Sequence, residues 1–207
     1  MIRPPGMDGA AFTDAGEGDQ RNDLTARSAV SSWLGISRRW ATVEQVHGLQ
    51  VIKAQQHGVL GAADGLWTDR PGLPLAVFTA DCLGVVLRAE RAVGVAHAGW
   101  RGVVSGVVAA LRTEMESQGH PPSHAAIGPG IGPCCYEVGS EVVEQIPLDV
   151  TETTWGTSSV DLASAVRRQL SDLDVWLAAA CTMHDPGLFS HRQNRTILRM
   201  ATICWLP

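Results

Sequence analysis

The chain has 207 residues, 45% of them hydrophobic and 18% charged, with a formal net charge of -5 at pH 7. A chain of that length builds a hydrophobic core without disulfide or metal staples, and we read residues 1–207 as one domain. The apolar content excludes a disordered chain, and a negative charge without long runs of one sign argues against a nucleic-acid binder, which needs a basic face.

Five cysteines stand at 82, 134, 135, 181 and 204 with no framework spacing, and adjacent Cys134 and Cys135 suit no ordinary bridge. The start, MIRPPGMDGAAF, has no apolar segment behind basic residues, and no apolar run reaches the roughly 18 residues of a membrane span. These features point to a reducing, cytoplasmic setting and no membrane partner.

In chain order, residues 1–23 read as loop-rich, with a short strand around Ala11-Phe12. A helical stripe follows in Leu24, Ala26, Ala29, Val30, Trp33 and Leu34, and Gly35 stands where a C-terminal cap belongs. Trp40 to Val46 and Leu49 to Ala54 are two strands with His47-Gly48 at the turn between them. Leu75 to Thr79, Val85 to Leu87 and Val93 to Ala96 are continuous apolar runs rich in β-branched residues, as in strands buried on both faces. Val104, Val107, Val108, Leu111 and Met115 follow helical spacing, ending near Gly119-His120-Pro121. A strand at Ala125 to Ile127, the tight loop GPGIGPCC, helices from Tyr136 to Ile146 and from Leu162 to Leu170, and a strand from Val175 to Ala180 complete the pattern. Alternating strands and helices predict an α/β domain with mixed sheets flanked by helices.

Cys82 and His97 each follow an apolar strand, and in open α/β sheets the carboxyl ends of strands are where ligand crevices form. His47 ends a third strand, in EQVHG. Two imidazoles and one thiolate form a zinc set that leaves a fourth position for water or substrate. No short metal motif is present, and a cysteine or histidine at a strand end is more often a packed or hydrogen-bonded residue than a ligand. Cys82 with a histidine equally fits a nucleophilic thiolate–imidazole pair, and spacing does not separate the two readings.

After His97, Gly99 and Gly102 permit close backbone approach, and Arg101 at a helix start suits a phosphate or carboxylate, or simply the surface. Asp81 is a candidate to orient a ligand or fix a histidine tautomer. In AAIGPGIGPCCYEVG, Cys135 and Glu137 are candidate ligand-proximal residues, the alternative being a structural turn. The other histidines carry less weight: His57, His120 and His124 fall in polar loops, and His184 and His191 in an irregular tail. Cys181 and His184 offer two metal donors, with no second such pair evident beside them.

EQVHG, ADGLWT, PLAVFTADCLGVVL, GVAHAGWRG, AIGPGIGPCCYEVG and the tail CT...FSHR, spanning about Val43 to Arg192, resemble the laccase-domain family, also called YfiH or peptidoglycan-editing factor. The resemblance implies a compact α/β fold and a zinc site at His47, Cys82 and His97. It implies a purine nucleoside phosphorylase acting with phosphate on adenosine, inosine, guanosine or methylthioadenosine, with adenosine deaminase activity. Copper-dependent polyphenol oxidation and a Cys82-based hydrolase editing peptidoglycan precursors are the alternatives. A multicopper enzyme calls for several metals on His-x-His pairs, and the sequence has none. The chain departs from the family's pattern in a short N-terminal region, in Arg192-Gln193 where many members have Arg-Arg, and in Ile197-Leu198-Arg199 where TGR is usual.

Overall fold

The computed structural model describes residues 1–207. Its first half runs β1 (Ala10–Phe12), α1 (Leu24–Leu34), β2 (Ala41–Glu44), β3 (Val51–Lys53), β4 (Gly58–Ala62), β5 (Gly65–Thr68), β6 (Leu75–Thr79), β7 (Leu83–Arg88) and β8 (Val93–Ala98). The second half runs α2 (Trp100–Ser105), α3 (Val107–Ser117), β9 (His124–Ile127), α4 (Ser140–Val143), β10 (Val150–Glu152), β11 (Ser158–Val160), α5 (Leu162–Gln169), β12 (Asp174–Leu177), α6 (His191–Asn194) and β13 (Met200–Cys204).

The strands form two mixed sheets, one ordered β1-β13-β6-β2-β4 and the other β12-β9-β7-β8-β5-β3, and β10 and β11 make a separate ribbon. Period-two alternation explains their layering. On β6, Leu75 and Val77 face a core shared by both sheets, where they join Phe12, Val86, Val93 and Val95. Ala76 and Phe78 face the other way, onto Val30 of α1 and Trp40. On β7, Val85 and Leu87 point from the six-stranded sheet toward Val107, Leu111 and Met115 of α3 and Val166 of α5. The order is therefore helix, sheet, sheet, helix, and central strands buried on both faces read as unbroken apolar runs. No helix is long and apolar enough to cross a membrane.

Several elements differ from expectation. The helix through Val104 to Met115 is two helices, because Gly106 adopts a left-handed conformation at φ 85° and caps α2 before α3 begins. The helix placed over Tyr136 to Ile146 shrinks to α4. The amides of Cys135 and Tyr136 instead donate to the Gly132 carbonyl in a turn, and Glu137 pairs with Ser159 in a bridge. The strands on either side of His47 join different sheets, β2 in the five-stranded and β3 in the six-stranded one. Beyond the irregular stretch of residues 181–195, an unexpected strand, β13, inserts between β1 and β6, antiparallel to both.

Candidate active site

The crossover from β2 to β3, the turn between β6 and β7, and the end of β8 converge on one cavity of about 380 Å³. The turns deliver His47 and Asp81 in left-handed backbone, at φ 60° and 92°, a region that residues other than glycine occupy at a cost and that clusters at functional sites. The donor atoms of His47, Cys82 and His97 lie within 4.8 Å of one another. Gly99 makes this approach feasible, since a Cβ there would sit 2.9 Å from Cys82 Sγ and 3.2 Å from His47 Cδ2.

Asp64, fully buried just before β5, organises the cluster. Its Oδ1 lies 2.8 Å from His97 Nδ1, and its Oδ2 accepts from the amides of Val46 and Gly48 at 3.1 and 2.7 Å. One carboxylate thus fixes the His97 ring and the turn that carries His47. Burial opposes the charge on Asp64, yet its bonds to His97 and to these amides hold its carboxyl below the usual range. Burial also raises the Cys82 thiol, but hydrogen bonds and charge from His47 and His97 outweigh it and bring the pKa down to about 6. For His97, burial disfavours the imidazolium, while Asp64 and Cys82 favour it more strongly and push its pKa up to about 9. With Nδ1 engaged by Asp64, the His97 Nε2 is free toward Cys82. A thiolate and two imidazoles, one oriented by a carboxylate, fit a zinc ion with an open position.

Of the two roles open to Asp81, orienting a ligand or fixing a histidine, the carboxylate that engages His97 Nδ1 is Asp64. Asp81 lines the cavity, and its carboxylate accepts from Thr182 Oγ1 and from the Arg192 amide, both at 2.7 Å. Arg101 also lines the cavity, with its guanidinium 4.3 Å from the Trp100 ring centroid. Cys135 and Glu137 do not line it. Cys135 is buried in a separate thiol cluster, because the Gly132 turn directs it away. Glu137 accepts from Trp155 Nε1 at 2.9 Å, and only its carbonyl reaches toward the site, accepting from Arg192 Nη1 at 2.8 Å.

Sequence reasoning missed the arginines. Arg21, Arg192, Arg195 and Arg199 join Arg101 around the cavity, together with His191, against a single carboxylate, Asp81. Burial and the nearby charge of Arg21 lower the Arg199 pKa, as expected of cations clustered without enough counter-charge. Phe78, Trp100 and Tyr136 supply aromatic surface, and Gln45 clamps Phe78 by bonding both its amide and its carbonyl at 2.8 Å.

A family model described as multi-copper polyphenol oxidoreductase laccase matches residues 10–207. A Geobacillus stearothermophilus protein named purine nucleoside phosphorylase YlmD is 35% identical, over 86% of this chain and 76% of that protein. A Streptomyces griseus protein named purine nucleoside phosphorylase ORF3 is 40% identical, over 79% and 73%. The crystal structure of YlmD from Geobacillus stearothermophilus shares the fold with a TM-score of 0.87 at 29% identity, covering 99% of this chain and 94% of that one. The Bacillus licheniformis hypothetical protein YfiH gives a TM-score of 0.88 at 26% identity, covering 96% and 92%. The chain belongs to the laccase-domain family, the family of YfiH and YlmD.

Proposed function

We propose that the chain is a cytoplasmic, zinc-dependent purine nucleoside phosphorylase that accepts adenosine, inosine, guanosine or methylthioadenosine with phosphate and also deaminates adenosine. The observation that carries this reading is one cavity pairing a two-histidine, one-thiol donor set with five arginines and one carboxylate. The names of the Geobacillus and Streptomyces relatives support it.

Phosphate is the ligand that an arginine excess suits. Arg101 offers a planar fork stacked on Trp100, and Arg21, Arg192, Arg195 and Arg199 add positive charge around the same space. The base packs against Phe78, Trp100 and Tyr136. In phosphorolysis the bond from the purine nitrogen to the ribose anomeric carbon breaks, and a phosphate oxygen bonds to that carbon. The base leaves with the electron pair and takes up a proton. Asp81, immobilised by Thr182 and the Arg192 amide, orients the nucleoside, and Asp64 is a positioning residue for His97. His47, Cys82 and His97 would hold a zinc ion, which would supply a Lewis-acid charge to the cavity. Deamination in the same space adds water to the purine carbon bearing the amino group and releases ammonia.

The test incubates adenosine, inosine and methylthioadenosine with and without phosphate, assays free base and ammonia, and measures metal on the same sample. Phosphate-dependent base release and about one zinc at the His47–Cys82–His97 cluster are expected. A second reading is a thiol hydrolase with Cys82 as nucleophile and His97 or His47 as base; the low thiol pKa favours a thiolate there. Full activity of metal-free protein together with covalent labelling of Cys82 by a substrate analogue would select it. Stoichiometric copper with oxidation of a diphenol would select the oxidase.

A further inference from the structure

A second cluster of metal donors lies outside the cavity, where the loop after β9 meets the loop after β12. Gly130 and Cys181 form a parallel bridge, and the Thr182 amide donates to the Gly130 carbonyl at 2.9 Å, so the pairing of these strands continues into their loops. That pairing sets Cys181 against the Gly132 turn, whose amide donates to Cys181 Sγ at 3.2 Å. A Cβ on Gly132 would lie 3.2 Å from Cys134 Sγ and 3.4 Å from Cys181 Sγ, so the glycine lets the two thiols flank one backbone position. A turn in which the amides of His184 and Asp185 donate to the Cys181 carbonyl brings His184 back to the same point. The donor atoms of Cys134, Cys135, Cys181 and His184 all lie within 4.8 Å of one another.

We propose that Cys134, Cys135, Cys181 and His184 form a second, structural zinc site. Three thiols and one imidazole are a complete four-donor set of the closed type, unlike the three-donor cluster in the cavity. Zinc bonds of about 2.3 Å to sulfur and about 2.0–2.1 Å to nitrogen, at a tetrahedral angle, put neighbouring S and N atoms about 3.6 Å apart. Cys134 Sγ and His184 Nδ1 are 3.6 Å apart. Binding releases the three thiol protons to solvent and forms three zinc–sulfur bonds and one zinc–nitrogen bond. The ion ties two loops that shape the cavity: Ile131 and Tyr136 line it from the first, and Thr182 of the second holds Asp81. This site is independent of the phosphorylase reading.

Zinc is measured on the full chain purified under reductant. Wild type is expected to carry two zinc ions per chain. Cys82→Ser and His184→Ala each leave one, the double variant leaves none, and His184→Cys, which keeps four donors, retains two. His184 is exposed, so its loss leaves the core packing intact. Cobalt-substituted protein gives an independent readout, because three of the four thiolates of the two clusters sit at the second one. His184→Ala should therefore remove most of the thiolate-to-cobalt absorption, whereas Cys82→Ser should remove little of it. A single zinc that vanishes with Cys82→Ser and survives His184→Ala overturns the proposal. So does a mass lighter by two hydrogens with Cys134 and Cys181 joined as a disulfide.

Discussion

One part of the cavity wall rests on strands and their turns, another on irregular chain. His97 lies in β8, Cys82 ends the step from β6 to β7, and buried Asp64 fixes both the His97 ring and the turn of His47. Of the arginines, Arg101 stands in the first turn of α2 directly after β8, whereas Arg192 lies in the exposed four-residue α6, Arg195 follows it in left-handed backbone, Arg199 is half-buried just before β13, and Arg21 is far away in sequence. Groups that must meet within bonding distance need rigid support, because an error of 1 Å destroys coordination. Groups that supply charge tolerate looser placement, because Coulomb energy falls only as the inverse of distance.

Variants that attack each part should therefore fail differently. Cys82→Ala or His97→Ala should empty the cavity site of zinc and lower kcat more than about 100-fold, since outer partners alone are worth about 10–100-fold. Metal content and turnover on one preparation check this, and an active zinc-free variant breaks the distinction. Asp64→Asn should weaken zinc binding at this site about 10–100-fold with the ligands unchanged, as read by chelator competition. Arg101→Gln and Arg192→Gln should each raise the KM for phosphate about tenfold, the loss of one charge-assisted hydrogen bond, and leave zinc content alone. If either variant releases zinc, the two parts of the wall are not separable.

The smallest expected effect is a displaced pH profile. With zinc removed, the reactive form of Cys82 is its thiolate, so alkylation should speed up as pH rises through about 6 and level off above it. An ordinary thiol would give a midpoint near about 8.5. Addition of zinc should suppress the labelling. A midpoint at the ordinary value would mean that the two imidazoles do not act on the thiol.

The strands β6, β7 and β8 were legible because burial on both faces leaves a continuous apolar run, and α3 because one face repeats at helical spacing. The strands β4, β10 and β11 were not: β4 and β10 are short and mostly exposed, and β11 is only three residues, Ser-Ser-Val, too few to show a period. The strand β13 was hidden in a tail dominated by polar residues up to Arg199, although its own sequence, MATIC, is fully buried. Asp64 left a usable signal, an acidic residue beside the apolar GLWT, since a buried carboxylate must find partners. The joining of Arg21 with Arg199 left none, because it depends on how β1 and β13 pair across the whole length of the chain. Cys134-Cys135 and Cys181-x-x-His184 were each visible, but only the pairing of the loops after β9 and β12 brings them together.

The most direct test of a cavity in which metal donors and arginines serve one reaction is phosphorus NMR of inosine turnover, with zinc titrated into metal-free protein. Ribose 1-phosphate should appear in equal amount with free hypoxanthine, and its rate should rise in proportion to zinc bound at His47, Cys82 and His97. Base release that needs no phosphate, or full activity before any zinc is added, would contradict it.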